Sequence, residues 1–218
     1  MWSSEVTNMI IAGIGETLYM TLVSTIAGYI IGLPMGIVLT VSDKDGIRPN
    51  SFIYKILDVI VNIVRSIPFI ILLVLLIPFT RFLVGKSYGS TATIVPLVVA
   101  AAPYIARMVD SSLKEVDAGV IEAARSMGAS DFDIVTKVLL VEARTSLLVG
   151  ATISLGTILG YSAMSGAVGG GGLGAIAIRY GYTRWQTDIM IVTVVLLVVL
   201  FQIFQTIGMK TAEFDHRK

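Results

Sequence analysis

Cysteine is absent from the 218 residues, which excludes disulfides, a thiol nucleophile and any thiolate metal site. A single histidine, His216, sits near the C-terminal end, so no histidine-based metal or catalytic centre is expected. Charge is scarce at 14% of residues, against roughly 25% in ordinary soluble domains. The first sixteen residues carry no lysine or arginine and therefore lack the basic start of a signal peptide. Although there are 21 glycines, none opens a Gly-Lys-Ser/Thr phosphate loop, so the chain has no nucleotide site of its own by this criterion. A net charge of +1 says nothing by itself about nucleic acid, which is not expected as a partner. No convergent nucleophile, base or metal set is visible, and enzymatic activity is not expected.

What remains is apolar. Hydrophobic residues make up 55% of the chain and mean hydropathy is +0.86, values of an integral membrane protein. The reading is an all-α membrane domain covering 1–218, with five spans at about 17–42, 57–80, 88–107, 145–165 and 188–209. The first span is uncharged from Thr17 to Ser42, and Gly28, Gly32 and Gly36 recur along one face, a spacing that permits close helix approach. Asn62, Arg65, Ser66 and Pro68 form a polar notch in the second span. An arginine at that depth is either a functional group or a side chain snorkelling to the headgroups. Pro96 and Pro103 fall in the third span. The uncharged run from Thr145 to Ile178 is too long for one ordinary span. Five glycines between Gly169 and Gly174 predict a non-helical turn after the fourth span, then a short re-entrant or interfacial segment to Tyr182.

Between the third and fourth spans lies a polar island, Arg107 to Arg144, whose interior, about 108–144, reads as a surface loop of two short amphipathic helices. Val116, Val120, Ala123, Ala124 and Met127 recur at three- and four-residue steps and are expected to share a face. Gly128 provides a left-handed C-terminal cap, and Ser130 with Asp133 makes a capping box for the second helix. Eleven basic residues fall in the loop after span one, the island and the tail, against four in the remaining segments outside the spans. The positive-inside rule then places the island and C-terminus in the cytoplasm and the N-terminus outside.

Glu122-Ala123-Ala124, then Gly128, Val138 and Leu140 at fixed spacing, resembles the signature loop of ABC importer permeases of the type I fold, with Val141 where that family usually has proline. The segments Val61–Leu73, Ala101–Val109 and Gly160–Gly169 are similar to the methionine-importing members of the family, and the likeness covers most of the chain.

The resemblance implies a permease of the bacterial cytoplasmic (inner) membrane, acting as a pair of identical copies with two ABC ATPase subunits and an extracytoplasmic substrate-binding protein. It implies methionine as cargo, including its D form and derivatives, with ATP-Mg held by the partner and no cofactor on this chain. It also implies that the island docks on the ATPase, through Glu122, Ala123, Ala124, Arg125, Met127 and Gly128. From the residues themselves, Met164 reads either as a gate on the dimer axis or as helix packing, with Tyr161 and Ser162 supplying polar groups beside it. Asn62, Arg65 and Ser66 are the other candidates for the path. A permease for another amino acid, such as cystine, or a membrane scaffold whose island recruits a signalling protein, are the alternative readings.

Overall fold

The computed structural model describes residues 4–216 and, among them, is helical throughout with no strand; the His216 side chain lies outside what is described. The first helix, α1 (Ser4–Ser42), is 39 residues long, about 58 Å, so it extends well beyond the expected start at Thr17. Its buried face carries Thr17, Thr21, Ser24 and Thr25 beside the glycines. Thr17 and Thr25 return their hydroxyl protons to carbonyls one turn back, at 2.8 and 2.7 Å, and so enter an apolar setting satisfied.

The expected second span is broken. α2 (Ser51–Ser66) and α3 (Phe69–Leu75) meet at 102°, and α4 (Ile77–Val84) follows. The cause is local. Pro68 has no N–H to offer a continuing helix, and its ring forces Ile67 into extended backbone (φ −80°, ψ 124°). Asn50 caps α2 by accepting from Phe52 and Ile53 N–H, both at 3.1 Å.

α5 (Ser90–Leu113) is the central helix and packs along α1. The glycine stripe makes this possible. A Cβ on Gly32 would lie 2.6 Å from the Ala102 carbonyl oxygen, and one on Gly36 would lie 2.6 Å from that of Ala106. α5 also runs two turns past Arg107, so the first residues of the polar island belong to a buried helix end and not to a surface loop.

The rest of the island folds as α6 (Ala118–Ser126) and then α7 (Asp131–Asp133), a π-helical stretch Ile134–Leu139 and α8 (Leu140–Glu142). With valine at 141 the helix runs on to Glu142 and pauses only at Ala143 before α9 (Arg144–Ser165). A 3-10 turn, Gly166–Val168, leads into the glycine segment. Helix resumes at Gly172, earlier than the glycine content suggests, as α10 (Gly172–Ile176) and a π-helical Ala177–Tyr182. Contacts with α1 explain the early restart. The Glu16 carboxylate accepts from Gly172 N–H at 2.6 Å and Thr17 Oγ1 from Leu173 N–H at 2.9 Å. α11 (Thr187–His216) closes the fold against α9, with Val194, Val195, Val198 and Val199 exposed on an apolar face. Among the described residues four helical stretches have the length and apolarity to cross a bilayer, and the bent α2–α3 pair counts as a fifth where its two parts are taken as one broken span.

Candidate functional site

The polar island presents a rigid surface helix. Asp117 caps α6 through Gly119 N–H at 2.7 Å. At the far end Gly128 adopts φ 85°, its N–H reaches the Arg125 carbonyl at 3.0 Å, and Ala129 N–H reaches the Ala124 carbonyl at 3.1 Å. That pair of bonds is a Schellman cap, which requires the left-handed residue. A Cβ on Gly128 would meet nothing within 4 Å, so conformation alone selects glycine there. Ser130 and Asp133 close the second helix reciprocally, Asp133 N–H to Ser130 Oγ at 3.2 Å and Ser130 Oγ–H to the Asp133 carboxylate at 2.5 Å. Lys137 and then Ser130 hold the Asp133 carboxyl below its ordinary range.

The expected shared face of α6 is divided. Ala124 is buried with partly buried Ile121 against the core, and Val116 precedes the helix altogether. Arg125 leans back on the membrane domain, donating to the Ile47 carbonyl at 2.7 Å. Glu122, Ala123 and Met127 are exposed, Met127 at 82%. Ala123 and Ala124 stand about a hundred degrees apart on the helix, whereas Glu122, three residues before Arg125, sits beside it at the mouth of a cavity of about 430 Å³. Ala124 and Arg125 therefore position α6, whereas Glu122, Ala123 and Met127 face outward. Phe132, 76% exposed past the glycine bend, joins the outward set; only its aromatic character in a polar run could have signalled it.

Beneath α6 lies a polar clasp that the linear reading did not assemble. Asp110, 2% exposed, pairs with Arg107 at 3.2 Å and Lys114 at 3.2 Å, and accepts from Thr40 Oγ1 of α1 at 3.0 Å. Lys114 continues to Asp43 at 2.6 Å, and its ammonium is the main cause that holds the Asp43 carboxyl below the usual carboxylate range. Arg107 bonds Asp58 of α2, and Asn62 Oδ1 at 3.0 Å. The clasp thus ties α1, α2 and α5 together. Its signal was present as Asp58/Asn62 and Arg107/Asp110/Lys114 at helical spacing.

The clasp also divides the candidate path residues. Asn62 is committed to Asp58 and Arg107, and Ser66 Oγ returns its proton to the Asn62 carbonyl at 2.7 Å. Ser162 is fully buried, donates to Leu159 O at 2.8 Å and accepts from Thr21 of α1 at 3.4 Å, so it packs helices instead of lining a path beside Met164. Two residues of helix turn it about 200° away from Met164. Tyr161, three residues before Met164, stays on the same side and stacks on Phe69 with centroids 4.6 Å apart and rings 5° from parallel. Met164 is 44% exposed, turned away from its own subunit's core. Arg65 borders a cavity of about 240 Å³ with Tyr104 and Tyr161. Asn62 and Arg65 therefore part company, one in the clasp and one at the cavity.

Comparison with known proteins places this architecture. Residues 28–209 match the family described as binding-protein-dependent transport system inner membrane component. The probable D-methionine transport system permease protein MetI of Vibrio cholerae is 45% identical over 217 residues, 99% of this chain and 96% of that protein. The D-methionine transport system permease protein MetI of Escherichia coli K12 is 54% identical over 158 residues, covering 72% of this chain and 73% of that one. Among solved structures, an inward-facing form of the MetNI methionine ABC transporter superposes with a TM-score of 0.96 at 50% identity, over 98% of this chain and 99% of that chain. An amino acid ABC transporter crystallised with histidines matches at TM-score 0.78 and 22% identity, over 98% and 96% of the two chains, a likeness of fold.

Proposed function

Because the chain belongs to the family of binding-protein-dependent transport system inner membrane components, a multi-pass ABC importer permease, we propose that it imports methionine, in L and D forms and derivatives, for partner ATPases that supply the energy. The observation that carries this reading is the capped α6 with Glu122, Ala123 and Met127 outward, on a chain with no phosphate loop of its own. The family membership and the named relatives supply the cargo.

In this reading the functional unit is two copies of the chain, two ATPase subunits and an extracytoplasmic binding protein. No cofactor is held by this chain; ATP-Mg sits on the ATPases. The island and C-terminus are cytoplasmic and the N-terminus is outside, as the distribution of basic residues supports. The outward residues of α6, with Phe132, enter a groove on the ATPase. Movement of the ATPases then acts on a helix whose ends are fixed by the Asp117 cap and the Gly128 bend, and which Ala124 and Arg125 fasten to the membrane domain. A short rigid helix transmits a displacement as rotation of the helices it touches. The cargo enters from the outer side, where a cavity of about 690 Å³ opens between the start of α1 and the glycine segment. Met164, exposed on α9 above Tyr161, closes the route on the dimer axis as an apolar plug that moves without stranding a polar group.

The test is uptake of labelled methionine by vesicles holding the assembled complex, with binding protein outside and ATP inside. Methionine uptake that requires ATP and is competed by D-methionine supports the proposal. Uptake of cystine in preference to methionine assigns the chain to another amino acid, and copurification without an ATPase favours a scaffold.

A further inference from the structure

Arg65 is the last residue but one of α2, just before the chain turns 102° at Ile67 and Pro68. Its side chain is exposed, has no ion pair and no hydrogen bond among the described residues, and lies within electrostatic reach of Tyr161. Neighbouring polar groups are already committed: Asp58 and Asn62 to Arg107, and Ser66 to its own helix. A guanidinium stays charged at any physiological pH, so an arginine at this depth needs an anion or the headgroups. What it borders is a cavity of about 240 Å³, which includes Phe69, Ala100, Tyr104 and Tyr161 in its lining. Drug-sized ligands occupy pockets of roughly 300 Å³ and upward, so this one suits a smaller solute. The aromatic wall is fixed by the Phe69–Tyr161 stack, and Thr157 holds the Tyr104 hydroxyl at 3.4 Å. Tyr161 in turn stands one turn before Met164 on α9.

We propose that Arg65 is the carboxylate-binding residue of a waystation on the translocation path, where the α-carboxylate of the amino-acid cargo pairs with the guanidinium. The proposal rests on the reading of the chain as an amino-acid permease and adds to it the group that the membrane domain recognises. A carboxylate meets a guanidinium through two parallel N–H···O bonds, which fixes orientation as well as charge. The ring faces of Tyr104 and Tyr161 suit the cargo's ammonium by cation–π attraction and leave the apolar side chain to Phe69 and Leu72. The cargo's side chain is thus not read at this site, whereas its carboxylate is required.

Because the chain has no cysteine, Ala100→Cys places its sole thiol on the cavity wall. In the assembled complex with its ATPases in nanodiscs, modification of this chain is followed by mass with two methanethiosulfonate reagents, one bearing a sulfonate and one a trimethylammonium. The sulfonate is expected to react about tenfold faster relative to its rate on a small thiol, as a focused positive field dictates. Millimolar methionine slows the reaction, and methioninol, which lacks the carboxylate, does not. Adding Arg65→Gln abolishes both differences. In vesicles, Arg65→Gln lowers methionine uptake severalfold at unchanged assembly, and Arg65→Lys retains part of it. Equal labelling rates for the two reagents, or equal protection by methioninol, overturns the proposal and returns Arg65 to the headgroups. Failure of the unmodified complex to take up methionine would instead count against the cargo assignment, and the charge preference of the thiol reaction still decides whether Arg65 forms an anion site.

Discussion

Arg107 and Arg65 present the same guanidinium in two opposite settings. Arg107 of α5 is held by Asp58, Asn62 and Asp110, drawn from two helices. Arg65 of α2 faces a cavity with two tyrosines and no acidic residue in its lining. An arginine already paired with two carboxylates has its charge compensated before any solute arrives, and removing one of its partners strands charge in a partly buried site. An arginine without an acid is left free to pair with an anion from elsewhere, as proposed for the cargo carboxylate. In the proposed mechanism the difference separates an arginine that holds helices together from one that meets the cargo. It also divides the polar notch of the second span, whose Asn62 belongs to the clasp and whose Arg65 belongs to the cavity.

The largest effect is expected at the hub of the clasp. Asp110→Ala leaves Arg107 and Lys114 facing each other without their shared carboxylate and should destabilise the chain by about 3 kcal/mol, read as a lower thermal midpoint in detergent. A midpoint like that of the unaltered chain would show that Arg107 needs no acidic hub and would erase the contrast. Next comes Gly128→Val. The site has room, so the cost is that of forcing a β-branched residue to φ 85°, about 2 kcal/mol confined to the α6 end. Because that end is where ATPase movement arrives in the proposed mechanism, methionine uptake should fall while the complex still hydrolyses ATP. Normal uptake per ATP would sink the coupling assignment.

Much of the architecture was legible in the sequence. Uncharged runs located the apolar helices, and the Gly28, Gly32 and Gly36 stripe announced a close contact that α5 supplies. Gly128, Ser130 and Asp133 announced their caps because capping is local chemistry. The outward and inward sides of α6 were not separable, because alanine carries no directional information and Arg125 spends its charge on a backbone carbonyl from a distant loop. Pro68 was visible, but the angle of its bend was not. Nor was the clasp, whose members come from three helices and whose hub, Asp110, reads in one dimension as a surface residue.

A smaller effect sharpens the clasp from its solvent side. Lys114 holds the Asp43 carboxyl below its ordinary value, so this pair contributes stability above the unfolded aspartate value of about 3.9 and loses it as pH falls through the lowered folded value. The thermal midpoint of the unaltered chain should therefore exceed that of Asp43→Asn by a constant amount from pH 8 to 5, and the gap should close below about pH 4. A gap that closed between pH 7 and 6 would place the responsible group elsewhere.

The most direct measurement sets the two arginines side by side. Arg107→Gln and Arg65→Gln are each assembled with the ATPases, and thermal midpoint and ATP-driven methionine uptake are recorded on the same preparations. The account predicts that Arg107→Gln lowers the midpoint by several degrees, the size expected for a broken, partly buried ion pair. Arg65→Gln should leave the midpoint within a degree or so, because no protein contact is lost, and should lower uptake severalfold. Loss of stability at Arg65 with undiminished uptake per folded complex, or undiminished stability at Arg107, would contradict it.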